Sequence, residues 1–362
     1  MFAKQALSLA MHGKRGVYSR DLRVRSGPKM DTPQLQEAVD KVTAGVPFRD
    51  LRQAAHRLTT AYRAMRHLGT GELSRLDALA YAATRMPATC AAVRSVLREF
   101  DVRCPELGLE VSSVLDLGAG SGTGVWAAGL ECSTLRYVTC VERDREMAEL
   151  GQRLFEHASF VSAVEATWCL EPLLAQTRYV SHDLVLVAYV LGELDDGART
   201  RVVEAAWDAT DVAFVAVLPG STDGYRTMLE VREQLQSLGA RVVAPCPHDR
   251  PCPLFDTPDA DWCHFATRVS RSSLHRRLKD GRLPYEDEKF TYVVGTRDQG
   301  ARARGRVIRR PVFGPRQVVL TVCGHDGIVR ERVPRSRREV YRRARKIGWG
   351  DPWPSVEPDT SS

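Results

Sequence analysis

A chain of 362 residues, 43% of them hydrophobic, is long enough for two or three ordinary cores, and no apolar run nears the roughly 18 residues of a membrane helix. Nine cysteines are too dilute, and odd in number, for a disulfide scaffold, and no secretory apolar stretch opens the chain; both favour a reducing compartment. The formal charge of +7 hides an asymmetry: residues 296–350 hold 16 Lys+Arg against 4 Asp+Glu, a local +12 that leaves −5 elsewhere. A basic end on a neutral-to-acidic body is the electrostatic footprint of a polyanion, with a solvated charged face as the plainer alternative.

In chain order, residues 1–20 carry four basic side chains and no acid, the pattern of a mitochondrial presequence. Met30 followed by "DTPQLQEAVD" is a better domain start, so residues 1–30 are expected to be a disordered leader. Residues 31–108 read as a helical lobe. Thr32 and Pro33 suit a helix entry, and Leu51, Ala54, Ala55, Leu58, Ala61, Tyr62 and Met65 fall on one stripe. A further helical run covers 74–84, and Pro87 interrupts it. Cys90 and Cys104 in this lobe are expected as small buried hydrophobes. Over 109–240, apolar runs alternate with helical segments, which predicts a parallel α/β sheet. From 241 to 350, proline-rich cysteine-bearing loops give way to strand-like runs and a basic helix within "SRREVYRRARKIGWGD". Residues 351–362 are expected as a disordered tail.

The segment "VLDLGAGSGTG" follows one apolar strand and opens a helix near Val125. Gly118, Gly120 and Gly122 allow a sharp turn and close backbone approach, aiming amides and a helix N-terminus at a ligand. Such a loop also suits a dinucleotide fold. Asp116, two positions before the first glycine, and Glu142, ending the next strand, are placed as in class I S-adenosylmethionine (SAM) enzymes, where the second carboxylate holds the ribose. No Lys-Ser/Thr follows the glycines, which excludes a P-loop. Methyl transfer is a separate matter. The position after the fourth strand reads "AYVLGELDD", without the prolines of base amino-methylases, and Pro245-Cys246 lies after the fifth strand, away from any base in the SAM pocket. Glu193, Asp195 and Asp196 are catalytic candidates by location alone.

"APCPHDRPCPLFDTPDADWCHF" puts Cys246, Cys252 and Cys263 on one long loop. Metal ligation explains three such thiols better than a disulfide or a single nucleophile. Zinc sites usually bring close CxxC-type pairs, lacking here, while thiolates on long loops also converge on iron–sulfur clusters, so both metals stay open. Cys323, in "LTVCGHDG", is the expected fourth ligand; His248 and His264 are second choices and His325 a third. Cys132, Cys140 and Cys169 are expected in the core.

The blocks "YAATRMPAT", "VLDLGAGSGTGVWAA", "APCPHDRPCPL", "DWCHFATRVSRS", "YEDEKFTYVVGTR" and "CGHDG…YRRARKIGWGD" resemble the methyltransferase-like assembly factors of the mitochondrial small ribosomal subunit and their bacterial relatives. The likeness covers most of 31–351. It implies a class I SAM-methyltransferase-like sheet with an N-terminal helical lobe and a C-terminal cysteine-rich, basic metal-binding extension. It further implies a [4Fe–4S] cluster on Cys246, Cys252, Cys263 and Cys323, a SAM pocket, and small-subunit rRNA within the assembling subunit as partner. Relatives often carry a glutamate before the strand-five turn, where this chain has Leu218-Pro219-Gly220. The expected RNA contacts are Arg335, Arg337, Arg338, Arg342, Arg343, Arg345 and Lys346, with Tyr292, Tyr341 and Trp349 available to stack on bases. The leading reading is an assembly factor with a structural cluster. The alternatives are an active SAM-dependent rRNA methyltransferase, a zinc-ribbon protein and a nicotinamide oxidoreductase. The expected setting is the bacterial cytoplasm, or the mitochondrial matrix if the leader is a presequence, with no membrane partner and no obligate oligomer.

Overall fold

The computed structural model describes residues 32–63, 73–108, 110–175, 178–255, 261–297 and 300–354. The expected leader, and the part of the expected tail beyond 354, lie outside these residues. Helices α1 (Pro33–Thr43), α2 (Phe48–Arg63), α3 (Arg75–Thr84), α4 (Met86–Arg103) and the single turn α5 (Pro105–Gly108) open the chain. The α2 stripe buries Leu51, Ala54, Ala55 and Leu58. Ser74 and Asp77 form a reciprocal capping box that starts α3, which satisfies two otherwise orphaned amides. Pro87 sits in the first turn of α4, where its missing amide costs nothing, so the chain kinks at Arg85 and helix resumes at once.

The doubly wound unit then runs β1 (Ser113–Leu117), α6 (Thr123–Glu131), β2 (Tyr137–Glu142), α7 (Arg145–Phe155), β3 (Glu165–Leu170), β4 (His182–Ala188), α8 (Asp196–Asp208), β5 (Thr210–Pro219), α9 (Thr222–Ser237), β6 (Arg241–Ala244), β7 (Phe265–Ser270), α10 (Ser273–Leu278) and β8 (Tyr285–Thr296). The order across the sheet is β3-β2-β1-β4-β5-β8-β6. The first five strands are parallel, while β8 runs antiparallel to both β5 and β6, and its first half pairs with β7. This strand order is that of a class I methyltransferase-like α/β sheet, as expected.

One correction concerns register along the chain. The alternation continues to β6, so Pro245-Cys246 follows the sixth strand rather than the fifth. It leaves the sheet beyond β8, still further from the ligand crevice.

A second, smaller sheet completes the fold: β9 (Gly305–Val307), β10 (Val312–Phe313), β11 (Gln317–Gly324) and β12 (Gly327–Pro334), followed by α11 (Arg338–Ala344). Its own small core joins Val307, Phe313, Val318, Leu320, Val322, Val333, Ala344 and Ile347. Trp353 is buried in that core and donates through Nε1 to Glu331, so packed chain continues past the expected tail boundary at 351. The N-terminal helices do not stand apart. One continuous core runs from Leu35 through α4 to β1, β2, Phe290 and Trp349, and a second core fills the opposite sheet face beneath α8 and α9. Among the described residues no helix is long and apolar enough to cross a membrane.

Candidate functional site

In open α/β sheets ligands bind outside the carboxyl ends of the strands where strand order reverses, which here is between β1 and β4. The glycine loop occupies that point. Gly118, Gly120 and Gly122 all have positive φ (74°, 55° and 82°), a backbone only glycine adopts cheaply. A Cβ on Gly118 would lie 2.8 Å from Val190, on the loop after β4, and one on Gly122 would lie 3.3 Å from Trp168. The two walls of the crevice therefore meet through these glycines. Glu142, at the end of β2, accepts from the amides of Gly120 and Asp144, both at 2.8 Å, which fixes its carboxylate beside the glycine loop. Asp116 is buried behind the loop. Its Oδ2 has no hydrogen-bond partner, and burial, reinforced by the nearby Glu142 charge, raises its carboxyl to about 7.

Three polar residues with no role in the sequence reading converge on the β4 side. Tyr189, directly after β4, has φ of 62°, a strained conformation for a tyrosine, and its hydroxyl donates to Glu288 of β8 at 3.2 Å. Arg85, at the α3–α4 kink, binds the same carboxylate through both terminal nitrogens at 3.0 and 3.3 Å. Pro219 pairs with Phe290, so Glu288 projects just beyond the carboxyl end of β5. A carboxylate thus stands at the edge where Leu218 leaves strand five without one. It accepts three donors, two of them from the Arg85 guanidinium, which makes it a poor general base. The other acidic candidates are no better placed. Asp195 caps α8 through the Ala198 amide, Asp196 pairs with Arg199, and Glu193 is exposed.

The four predicted cysteines are brought together. Cys246 and Cys252 on the loop after β6, Cys263 before β7 and Cys323 near the end of β11 line one cavity, with Tyr225, Arg232, His248, Tyr292, Arg306 and Ile308. Burial pushes the Cys323 thiol up to about 12, with Cys246 and Cys252 adding to it; the Cys263 thiol is raised by burial and then by the other three sulfurs. The Tyr225 hydroxyl donates to Cys252 Sγ at 3.2 Å, and His248 Nε2 lies 3.8 Å from Cys323 Sγ. Soft thiolates of this kind suit zinc or an iron–sulfur group. Among the described residues no three His, Cys, Asp or Glu side chains gather closely enough to hold one ion. The structure thus brings the four thiols to one cavity, and the metal expected there receives no further support from their arrangement. Of the second-choice ligands only His248 lines the cavity. His264 stacks on Trp262 and meets Trp349 edge-on, and His325 is exposed and bonded to Asp326.

A family model described as "Mitochondrial small ribosomal subunit Rsm22" matches residues 75–354, which takes in the glycine loop, all four cavity cysteines and the basic helix. The chain belongs to the Rsm22 family. It is similar to human "Ribosome assembly protein METTL17, mitochondrial", 30% identical over 301 residues that cover 77% of this chain and 63% of that protein. It is also similar to "Rsm22-cox11 tandem protein 2, mitochondrial" of Schizosaccharomyces pombe (strain 972 / ATCC 24843), 23% identical over 76% of this chain and 43% of the relative. The chain thus spans less than two thirds of these relatives' own lengths. Among solved structures, "a putative RNA methyltransferase PH1948 from Pyrococcus horikoshii" overlaps at TM-score 0.37 with 17% identity, covering 59% of this chain and 84% of the other. The strand order, rather than such overlaps, defines the fold.

In this Rsm22-family chain the basic segment divides by partner. Arg297 donates to the carbonyls of Trp207 and Thr210, Arg302 binds Asp249, Arg306 binds Glu99, Arg309 binds Asp261 and Arg310 binds Asp287. These residues staple the second sheet and its approach to the body. Arg304, Arg316, Arg330, Arg332, Arg335, Arg338, Arg342, Arg345 and Lys346 are exposed, and none has a carboxylate partner among the described residues. Arg337 lies 3.9 Å from Glu331, and Arg345 lies over the Phe313 ring. The predicted contacts at 335–346 are therefore largely solvent-facing, and Arg330 and Arg332 of β12 extend the same charge. Stacking on bases is another matter. Tyr292 and Trp349 are buried in the main core and present no open ring face, while Tyr341 is half-buried against the small one.

Proposed function

We propose that the chain is a small-ribosomal-subunit assembly factor that binds rRNA through the second sheet and α11, carries a [4Fe–4S] cluster on Cys246, Cys252, Cys263 and Cys323, and holds a SAM-class nucleoside in the glycine-loop crevice. One observation carries the reading: Cys323 lies on β11, hydrogen-bonded along its length to the arginine-bearing β12, while the other three thiols belong to loops of the methyltransferase-like body. A cluster shared by the four would fix the direction in which the unpaired arginines point. When bound, it would supply a covalent cross-link between the two units. The residues of this chain would do the rest: Arg306 and the small core hold β9–β12 in place, and the exposed cations meet phosphates. The names of the relatives support ribosome assembly and a mitochondrial setting; the bacterial-cytoplasm expectation receives no such support.

Binding of small-subunit rRNA, measured against salt concentration, tests the surface. Six phosphate contacts imply a log–log slope of roughly −4 to −5. Reversing Arg338 and Arg342 together should shallow that slope by about 1.4 to 1.8 and weaken all RNA sequences alike; an unchanged slope refutes this surface. Anaerobically purified protein should be brown and lose its colour and iron in Cys246→Ser or Cys323→Ser. Colourless protein with stoichiometric zinc instead would establish the zinc alternative. Calorimetric titration with SAM should show binding that Glu142→Gln weakens.

The intact glycine loop, with Asp116 and Glu142 in place, favours a second reading as an active rRNA methyltransferase. The ion pair of Glu288 with Arg85 argues against it, because a carboxylate held by a guanidinium is a weak base. A methyl mark on the small-subunit rRNA that disappears in a deletion strain and in Glu142→Gln would decide for transfer. An assembly defect rescued by Glu142→Gln would decide for the binding role.

A further inference from the structure

Arg232, on α9, is 3% exposed and lines the cysteine cavity. One of its terminal nitrogens donates to the carbonyls of His248 and Arg250, both at 2.9 Å, while Nε is buried with no partner. Among the described residues no carboxylate forms an ion pair with it. The nearby Asp249 is held by both terminal nitrogens of Arg302 and by Gln236. The other arginine of the cavity, Arg306, differs in this respect, since Glu99 neutralises it at 2.6 Å. Arg232 is thus a buried cation with no ion pair of its own, set beside two carbonyls, His248 and the four thiols, with the Asp249 carboxylate acting on it only at longer range. Burying a charge without a hydrogen-bonded counter-ion costs several kcal/mol, a cost that an anion in the cavity would offset. Four thiolates around a metal centre are such an anion: a [4Fe–4S] cluster in its oxidised form carries two negative charges with its ligands, and a tetrathiolate zinc site carries the same.

We infer that Arg232 is the counter-cation of the four-cysteine cavity, a positioning residue that favours the metal-loaded state electrostatically and raises the reduction potential of the group held there. The inference rests on the cluster reading above. Loading would bring negative charge to a guanidinium already in place, so no charged side chain need move in. A nearby positive charge also stabilises the extra electron of the reduced state.

The test compares wild type, Arg232→Gln and Arg232→Lys, each reconstituted anaerobically with ferrous iron and sulfide. Iron content, the rate of iron transfer to a chelator, the rise in melting temperature on loading, and the midpoint potential are measured. Loading should raise the wild-type melting temperature more than that of Arg232→Gln, which should release iron at least tenfold faster and show a more negative potential. Arg232→Lys keeps the charge and should stay within about threefold of wild type in release. A role confined to holding the His248 and Arg250 carbonyls would lower loaded and metal-free melting temperatures equally and leave the potential unmoved; that result overturns the inference. If Arg232→Gln does not fold, iron release from Arg232→Lys as fast as from Cys252→Ser overturns it, and near-wild-type release supports it. Wild-type protein that takes up no iron refutes the cluster reading itself, a result distinguishable from the failure of Arg232 alone.

Discussion

Glu99 of α4 offers the sharpest test of how the second sheet is held. Its carboxylate meets Arg306 Nη2 at 2.6 Å and lies 3.1 Å from Arg103 Nε, and both guanidiniums are buried, Arg306 to 1% exposure. Arg306 also donates to the Pro245 carbonyl at 3.0 Å and the Gly350 carbonyl at 2.8 Å. One side chain therefore ties α4, the start of the cysteine loop and the last described turn to β9. Glu99→Gln keeps the volume and removes the charge, leaving two buried cations without a counter-ion. Breaking a buried pair in this way costs about 3–5 kcal/mol. At roughly 2–4 °C per kcal/mol for a domain of this size, the melting temperature should fall by about 6–20 °C. Arg306→Met should cost a comparable amount, and the double variant should cost about 2 kcal/mol less than the sum, since each single change already forfeits the shared interaction. Urea titrations followed by tryptophan fluorescence suit the assay, because Trp353 is hydrogen-bonded through its backbone to Gly305 beside Arg306. A loss below about 0.5 kcal/mol for Glu99→Gln, or strict additivity in the double variant, would refute the reasoning.

Two further outcomes follow from the crevice. Asp116 has its carboxyl raised from 3.8 to about 7 by burial, so between those values the folded protein holds a proton that the unfolded chain has lost. Its contribution is fully present below pH 4, is lost as pH rises to about 7, and amounts to roughly 4 kcal/mol. Asp116→Asn should therefore gain stability relative to wild type between pH 5 and pH 8, whereas an identical difference at both values would contradict the assignment. Gly118→Ala and Gly239→Ala share a left-handed backbone penalty of roughly 1–2 kcal/mol, but only the first drives a Cβ to 2.8 Å from Val190. Denaturant midpoints should show Gly118→Ala the worse by about 1–3 kcal/mol; equal losses would mean that the β4 loop yields freely.

Much of the sheet was legible because β1, β2, β4 and β5 are near-continuous apolar runs, as strands covered on both faces must be. β3 escaped because it is an edge strand whose residues in "EATWCL" are exposed or half-buried, leaving little apolar signal. β12, "GIVRERVP", was hidden by its charges, which a strand with one open face tolerates. The cysteine grouping was readable from loop spacing and family likeness. Tyr225, Arg232 and Arg306 were not: each looks like an ordinary residue of a helix or basic run until the fold turns it into the cavity. The block "EDEKF" could have flagged Glu288, but nothing local named Arg85, 203 residues earlier, as its partner.

The residue order by itself determined the doubly wound class, the glycine loop with its two carboxylates, the thiol-rich loop and the concentration of positive charge near the end. Those features depend on periodicity and short spacing, which act over a few residues. Only the tertiary structure decided which arginines are consumed by carboxylates and which face solvent, that Tyr292 and Trp349 are core rather than stacking platforms, and that one guanidinium is left buried among four sulfurs. Charge pairing and burial are set by atoms that meet from distant parts of the chain, and no local pattern encodes the meeting.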